Sequence, residues 1–546
     1  MLLIAFLVLF FCHGLSSDRD TGTVFYTAFP ENVAFYDPVP HNISLLLTAM
    51  YSNTNITVTI KGINFQWTNS FNAGVTFELP LPQDAELQRE RISNKTVMIQ
   101  SNSMISVLSV TRRQNRIQTK IVPPWRRMGT SFHGPASIQR MPNVSDPLYS
   151  MKVTVINTVK KNTIKVLQGG VVTDQEVADS YQIVQFNITG SSSDVQIKSQ
   201  AIVAVLISHP CLEFYNCSCY MAVIQLQPDA MLGNGFVVPP IPVKDDSDQP
   251  DLLVISDQRF ALLQGPPLFN GSVQESSALV AIDPALGTNN LQLTFSTNTS
   301  LVLIGPYFII NVIPQSSLGA CFLVHAVMNS PRKALLIVDT NQRFDVHLGK
   351  NAFSPSLNWV PISGTNLSWT VVQLNRSTPH IIWHPSTQMA VYVSDSLSAT
   401  VWNAAINLSE QPDYSGCSLK YVTPFLLNVS GTWAESLHNC ISPSAEMLSI
   451  SNSNIQQQMA QNLEPSGDPK EAWIGLRRRL LNEEWYWLNR NPVVFTNWAA
   501  NEPKGSMDGM CATVSLGPSG IFSWHSRSCC LSLQAICTPK KSIFSI

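Results

Sequence analysis

The chain has 546 residues, with 34 basic and 36 acidic side chains, a formal net charge of −2 and 13% charged residues. That length calls for several domains. The near balance of charge excludes nucleic acid or another polyanion as the main partner.

The chain opens with an apolar run from Met1 to Cys12, followed by the small residues Gly14, Ser16 and Ser17. A run of about a dozen apolar residues is too short to span a bilayer. It reads as a secretory signal over residues 1–17, cleaved near Ser16 or Ser17, although no Lys or Arg precedes it. The next most apolar stretch, 301–313, is broken by Gly305 and Pro306, so no membrane span is expected. The last residues, from Lys540 to Ile546, are too short for a lipid-anchor signal. The mature chain is expected to be secreted, extracellular and soluble.

Two features agree with export. The 11 cysteines become an even number once Cys12 leaves with the signal, as an oxidised protein requires. Asn-X-Ser/Thr acceptors are dense: Asn42, Asn55, Asn94, Asn143, Asn187, Asn216, Asn270, Asn298, Asn366, Asn375, Asn407 and Asn428. None follows Asn428, so a glycan-coated body with a bare C-terminal head is expected.

From residue 20 to 408 the pattern is short alternating or fully apolar runs rich in Val, Ile and Thr. They include 43–49, 55–60, 75–79, 97–101 and 105–110. Turns carry Asn, Gly, Ser and Pro, and no long helical period interrupts them, so the body is all-β.

The body also repeats. Pro124-x3-Met128-Gly129-x2-Phe132 recurs as Pro228-x3-Leu232-Gly233-x2-Phe236 and as Pro314-x3-Leu318-Gly319-x2-Phe322. The Gly-x2-Phe half stands alone at Gly22 and Phe25. A pair of strands precedes each full copy, and a fourth pair, 381–393, has none after it. Proline ends a strand ladder, glycine permits a tight reversal and phenylalanine anchors the next strand in the core. Four units of about 85 to 105 residues result, suited to one β-sandwich each or to paired blades of a β-propeller. A ring closed by its first strand fits the same arrangement.

The segments Gly22-Thr-Val-Phe-Tyr-Thr-Ala-Phe29, Ser93 to Ser101 and Gly235-Phe-Val-Val-Pro-Pro240 resemble the N-terminal domain of IgG Fc-binding proteins. That resemblance covers residues 20–408. It implies a secreted, mucosal or mucin-associated binding protein. The family's Cys-rich mucin-type repeats are absent from this chain.

Cys211, Cys217, Cys219 and Cys321 lie in the body. No nearby His pair completes a metal site, so disulfides are expected. Cys211 pairs with Cys217 or with Cys219, leaving the other for Cys321; spacing does not choose. The acidic run Asp245-Asp246-Ser247-Asp248 lacks the glycine of a calcium loop and reads as a solvated turn.

A linker over 409–416 leads to a head over 417–540. Trp433, Ala434 and Leu437 have helical spacing, so 433–440 reads as a first helix and 455–463 as a second. Aromatic-rich strands follow. The set Cys440, Trp473-Ile474-Gly475-Leu476, Trp485-Tyr486-Trp487, Asn497-Trp498, Glu502-Pro503, Cys511, Trp524, Cys529 and Cys537 resembles a C-type-lectin-like domain. The resemblance implies bridges Cys440–Cys537 and Cys511–Cys529, each contributing about 3–5 kcal/mol. Cys417 and Cys530 then remain and are expected to pair with each other. The fold class is thus a mainly β repeated body, as tandem sandwiches or a propeller, plus a small α+β C-type-lectin-like domain. The tryptophans are expected to fill the small core of the head.

In calcium-dependent members of the lectin family a Glu-Pro-Asn triplet, an acidic pair before the third cysteine and a Trp-Asn-Asp triplet supply oxygens. Here the triplets read Glu502-Pro503-Lys504 and Trp524-His525-Ser526, and Gly509-Met510 precede Cys511. Calcium takes six to eight oxygens. Glu502, with Asp508 nearby, does not supply them. Lys504 brings a cation instead, and a dication ~4 Å from it is repelled by about 2 kcal/mol in water and about 8 at an effective dielectric of 20. No metal and no cofactor are therefore expected. Glu502, Lys504, Asp508, His525 and Arg527 stand as ligand-binding residues for a glycan or protein. Arg477-Arg478-Arg479 and Arg490 add positive charge suited to an anionic glycan or acidic protein, or form a merely solvated basic loop.

No metalloprotease pair, nucleophile elbow or phosphate loop is present. Ser131 and His133 are close in sequence but fall in a repeat reversal. The expectation is a non-enzymatic binding glycoprotein of mucosal or innate-immune recognition. The alternative is a matrix or adhesion scaffold whose head docks proteins.

Overall fold

The alternating runs become antiparallel sheets in the computed structural model. It describes residues 20–544 except 33–41, 114–115, 137–149, 189–193, 216–217, 242–249, 266–273, 275–276, 282–291, 306–307, 328–331, 354–356, 375–377, 395–401, 419–423, 443–444, 451–454, 457–458, 460–462, 464–470, 481–482, 506–508, 517–521 and 540–542. The leader over 1–17, Cys217, Asp508, the 245–248 run and the acceptors Asn143, Asn216, Asn270 and Asn375 lie outside the described residues, as do the side chains of Cys211 and Cys219. The chain divides into two compact units, Met1–Cys417 with Phe544–Ile546, and Ser418–Ile543.

The first unit holds four repeats. Each opens with the strand that carries the phenylalanine, and in the first three also the glycine: Thr21–Thr27, Gly129–Pro135, Gly233–Val237 and Cys321–Val324. The phase differs from the one read in the sequence, where the motif closed a repeat. Phe25, Phe132, Phe236 and Phe322 are at most 1% exposed. Truncating such a ring to alanine costs about 3–5 kcal/mol.

The expected strand pair is one long strand in three repeats: Val97–Arg113, Asp194–Tyr215 and Gln292–Ile304. The first half of Val97–Arg113 lies between Thr21–Thr27 and Thr54–Ile60, and the second half between Asn42–Ala49 and Arg116–Ile121. One strand thereby serves both layers of a sandwich, as corner strands do. Leu45, Leu47, Val58, Ile99 and Val107 meet between the layers. Near each crossing a serine hydroxyl donates to the carbonyl two residues on, Ser101 to Ser103 at 2.6 Å and Ser199 to Ala201 at 2.7 Å. In the fourth repeat Pro385 follows the first segment, and the strand is split into His380–Trp383 and Ala390–Ser394. Proline has no N–H to continue the ladder.

The repeats interlock through the motif itself. A Cβ added to Gly22, Gly129 or Gly233 would stand 2.5 Å from the Cβ of Pro124, Pro228 or Pro314 respectively. Each proline therefore lies on the glycine of the preceding motif, and only glycine leaves room. No motif follows Gly319, and there the side-chain oxygen of Asn407 takes the place, 2.6 Å from the added atom.

Asn407 also closes the circle. Asp20 N donates to Asn407 O at 2.9 Å, and Asn407 N donates to Asp20 Oδ2 at 2.8 Å. Arg127 Nη1 donates to Asp20 Oδ1 at 2.6 Å. The last strands of the repeats, Arg116–Ile121, Ser218–Gln225, Ile309–Asn311 and Trp402–Ala404, pack each on the next and the fourth on the first. Side-chain amides stitch them: Asn311 Nδ2 to Gln225 O at 3.2 Å and Asn403 Nδ2 to Thr119 Oγ1 at 2.9 Å. The body is a ring of four two-layered β units, so the sandwich and propeller readings each held one part of it.

The pairing expected for Cys417 and Cys530 is corrected. Cys417 is bonded to Cys321, with Cα atoms 5.5 Å apart, and Cys530 is an exposed free thiol. The reason is that Cys417 belongs to the compact unit of the ring, whereas Cys530 belongs to the other unit. Cys321 is accordingly no partner for Cys211, Cys217 or Cys219. Closing a loop of 96 residues, the bridge restricts the unfolded chain by about 4–5 kcal/mol. Asn407 is 7% exposed, because it packs on Gly319 and binds Asp20. Asn42, Asn55, Asn94, Asn187, Asn298, Asn366 and Asn428 are exposed.

In the second unit Thr432 caps the helix Trp433–Ile441 through a reciprocal capping box with Glu435. The indole N–H of Trp433 donates to Ile474 O at 3.1 Å, and that of Trp473 to Gly431 O at 3.0 Å. Cys440 is bonded to Cys537 and Cys511 to Cys529. Of the second helix, 455, 456 and 459 are helical among the described residues. The central strand Glu471–Arg478 pairs with Trp485–Trp487 on one side and Cys511–Ser515 on the other, and Trp524–Arg527 extends the sheet. Trp473, Trp487 and Trp524 are fully buried.

Two outcomes are expected. Gly233→Ala lowers the unfolding free energy by about 1–3 kcal/mol through overpacking against Pro314, read from denaturant titration. Gly505→Ala, whose added Cβ meets open space, leaves it unchanged. Peptide mapping of chain made in a glycosylating host finds Asn298 and Asn366 modified and Asn407 bare.

Candidate functional site

The strand Trp524–Arg527 sets the site in the head. Alternation along a strand buries Trp524 and Ser526 and leaves His525 and Arg527 half-exposed. Register places Thr513 opposite His525 and Cys511 opposite Arg527. Glu471 opens the central strand, and Glu502 comes from the loop, where its peptide bond to Pro503 is cis.

These groups form a closed clasp. Arg527 Nε donates to Glu471 Oε2 at 3.0 Å, and Nη2 donates to Oε1 at 2.7 Å, a two-pronged contact. Its Nη1 donates to Glu502 Oε1 at 3.2 Å. The second Glu502 oxygen accepts from Lys504 N at 3.1 Å, from Ser526 N at 3.1 Å and from the Ser526 hydroxyl. Thr513 Oγ1 donates to Glu471 Oε2 at 2.9 Å. His525 Nδ1 lies 3.9 Å from Glu502 Oε1. The Glu502 side chain is only 5% exposed.

Charge follows geometry. Burial alone would raise the Glu502 carboxyl, but hydrogen bonds from Ser526 and Lys504 and the Arg527 charge outweigh it and hold it below its ordinary range. Burial likewise works against Glu471, and the Arg527 and Thr513 bonds with the Arg527 charge win. The hydrogen bond to Glu471 raises Arg527.

A calcium ion does not fit this donor set. Glu502 spends both oxygens on N–H and O–H donors, and a guanidinium already lies 3.2 Å from one of them. Among the described residues no group of three or more His, Cys, Asp or Glu could hold a metal ion. The cation beside Glu502 is Arg527, not the Lys504 that the sequence pointed to. Lys504 is exposed and contributes its backbone N–H.

The arginine triplet is engaged within the unit. The Arg477 guanidinium lies 5.1 Å from the Trp433 ring and that of Arg479 5.3 Å from the Tyr486 ring. Arg478 pairs with Glu483. Arg490 is exposed. Trp485 and Trp498 are half-buried, with rings 4.8 Å apart. Glu471 is the site residue that sequence reading missed. Its only signal is its place just before the Trp-Ile-Gly-Leu segment, and no spacing rule marks it.

In the ring, Ser131 and His133 do meet, through a third group. Ser131 Oγ donates to Asp229 Oδ2 at 2.5 Å, and His133 Nδ1 lies 3.0 Å from Asp229 Oδ1. The carboxylate stands between hydroxyl and imidazole, so the imidazole does not contact the hydroxyl it would have to deprotonate. Asp229 adjoins the motif proline Pro228, and the three side chains join two neighbouring repeats.

The chain matches the family model for IgGFc binding protein over residues 118–394, just over half of its length, and the Lectin C-type domain over residues 429–539. It is 21% identical to human IgGFc-binding protein over 372 residues, covering 64% of this chain and 7% of that protein. It is 28% identical to human C-type mannose receptor 2 over 109 residues, covering 20% of this chain and 7% of the receptor. Among solved structures, human lithostathine at 1.3 Å aligns with 22% of this chain and 88% of its own, at 20% identity and a TM-score of 0.21. The chain thus spans only a small part of these two curated relatives. Both matched families are non-enzymatic binding families, and among the described residues no helix is long and apolar enough to cross a membrane.

Arg527→Met is expected to destabilise the head, because it leaves Glu471 and Glu502 without the cation that both contact. Both carboxyls sit below their unfolded values, so their stabilisation is complete above the ordinary carboxylate range and is lost as pH falls through it. Melts of the wild-type chain weaken on acidification from about pH 6 to about pH 3, and Arg527→Met flattens that dependence.

Proposed function

The chain belongs to the IgGFc binding protein family, and from that premise we propose that it is an exported, non-catalytic recognition glycoprotein of mucosal or innate-immune surfaces. Its ring body spans 20–408, and a lectin-like head over 417–540 follows a linker at 409–416. The head acts without calcium. The observation that carries this reading is the Arg527 guanidinium held between Glu471 and Glu502. A fixed internal cation does there what a bound ion does elsewhere: it neutralises the carboxylates and orders the loop. Glu502, Lys504, Asp508, His525 and Arg527 then act as the frame of a contact surface, with no metal-bridged sugar hydroxyl.

A second reading has its own support. The head exposes Leu480 at 69%, Val494 at 67%, Val429 at 60% and Leu531 at 44%. Apolar side chains in water are what a protein-docking surface presents, which favours an adhesion or matrix scaffold.

One experiment separates the readings. The full chain is run on a glycan array and in pull-downs with mucus glycoproteins and antibody Fc, each with and without EDTA. Glycan capture that survives EDTA is the expected result. Capture of proteins alone supports the docking scaffold. Glycan capture abolished by EDTA and restored by calcium overturns the calcium-independent head.

A further inference from the structure

The sheet edges of the ring body are not protected alike. In the first repeat the strand Phe65–Phe71 ends its sheet. One side pairs with Thr54–Ile60 over seven residues, and among the described residues no strand pairs with the other side. Native edge strands carry charge, proline or a bulge that turns other chains away. Phe65-Gln-Trp-Thr-Asn-Ser-Phe71 has no charged residue, no Pro and no Gly, and its register is unbroken. The edge Thr76–Leu81 of the same repeat holds Glu78 and Pro80, and the edge Val171–Val177 of the second repeat holds Asp174 and Glu176.

The strand is also close to a palindrome in chemical type. Laid antiparallel on a second copy about Thr68, Phe65 meets Phe71, Gln66 meets Ser70 and Trp67 meets Asn69, with Thr68 opposite itself. No like charges oppose there, whereas Val171–Val177 laid on itself about Asp174 sets two carboxylates together. Gln66, Thr68, Asn69 and Ser70 are exposed, and Phe65, Trp67 and Phe71 are half-buried. Trp67, Phe71 and Phe77 stack with ring centroids 5.4 to 6.1 Å apart, so the edge strand itself carries two rings of an aromatic cluster. Ser70 N donates at 2.8 Å to the exposed Asn69 side chain, a bond that a pairing strand replaces.

We propose that this edge joins two copies of the chain, the Phe65–Phe71 strands pairing antiparallel about a two-fold axis at Thr68 so that one sheet runs through both bodies. Backbone bonds supply the affinity. Phe65 against Phe71 on one face and Gln66 against Ser70 on the other fix the register, since a slip by one residue moves every side chain to the wrong face. A contact of this kind uses the same patch on both copies and closes on itself, so the product is a dimer and not a fibre. A single strand pair is small, which sets the dimer among transient interfaces with a Kd of about 10 to 100 µM. Asn55 is exposed and lies opposite Ser70, so a glycan there stands beside the edge.

The test is sedimentation of the full chain, and of an Asn55→Gln chain, from about 1 to about 200 µM. A reversible dimer in either chain is the expected result. Thr68→Lys, at an exposed position, sets two ammoniums across the axis and weakens the dimer about tenfold with an unchanged melting temperature. Thr173→Lys, on the edge strand of the second repeat, leaves the dimer as it was. In a Cys530→Ser chain, Thr68→Cys gives a covalent dimer on mild oxidation, because residues directly opposite in antiparallel strands have Cα atoms about 4.5 to 5.5 Å apart, within disulfide reach. Monomer throughout in both chains overturns the proposal, as does a dimer indifferent to Thr68→Lys or equally weakened by Thr173→Lys. A dimer that Thr68→Cys does not lock overturns the axis at Thr68. The edge belongs to the body, so each of these outcomes leaves the reading of the head standing.

Discussion

The contact of a proline with a glycine of the preceding repeat is the constraint on which the ring rests. A sandwich of this size buries one face-to-face core and still leaves edges and ends exposed. Seating Pro124 on Gly22, Pro228 on Gly129 and Pro314 on Gly233 covers those ends in series. The same residues set the opening strand of the next repeat, because glycine and phenylalanine follow the proline at fixed offsets. One short motif therefore both joins two repeats and starts the second. A series of this kind has two unsatisfied ends, and Asp20 and Asn407 bring them together with one backbone bond, a second from Asn407 N to the Asp20 carboxylate, and the Arg127 ion pair. Closure is what distinguishes this arrangement from an open array of repeats, whose terminal units need separate caps.

The head solves a different problem by substitution of one cation for another. Lectin-like loops are rich in polar backbone and carry little apolar area. Something must hold the Glu502 loop against the sheet. A divalent ion can do so when oxygens converge. Here the cation is covalently part of the strand at Arg527. A guanidinium offers planar donors to two carboxylates at once, which a Lys ammonium does not match. It also cannot dissociate from the strand. It has one cost: both Glu502 oxygens are already engaged, and a guanidinium stands 3.2 Å from the less engaged one, where a bridging ion would have to sit.

Much of this was legible in the sequence, and the failures have physical causes. The four-fold repeat, the all-β body and the lectin framework follow from spacing, since a Gly-Pro-Phe set or an aromatic-cysteine set recurs for steric reasons. The phase of the repeat did not follow, because a proline that ends one strand and a glycine that starts another read alike in one dimension. The sequence suggests pairs in place of the single long strands because the Ser101 and Ser199 regions look like turns. In three dimensions a serine hydroxyl satisfies the carbonyl there and the ladder continues. Pairing Cys417 with Cys530 rests on what remains after two other bridges, whereas disulfides follow Cα distance and not sequence neighbourhood. The positive charge beside Glu502 was anticipated but assigned to Lys504, because strand register and not proximity in sequence brings Arg527 to that carboxylate.

The retained and the varied positions of the ring have different physical causes. Glycine, proline and phenylalanine persist because each is sterically required. Four residues before the motif proline, in the strands that face one another around the ring, stand Lys120, Ile224 and Ile310. Lys120 is the odd member. Its ammonium donates to Thr27 Oγ1 at 2.6 Å, and burial pushes it down to about 7. An isoleucine at that place would bury without such a penalty, and two repeats use one. The second repeat is individual too, since its Lys152 reaches Glu31 of the first at 2.6 Å. A scaffold that fixes its joints by sterics leaves its other positions free to diverge. Local departures from the best-packed choice therefore distinguish one repeat from the next.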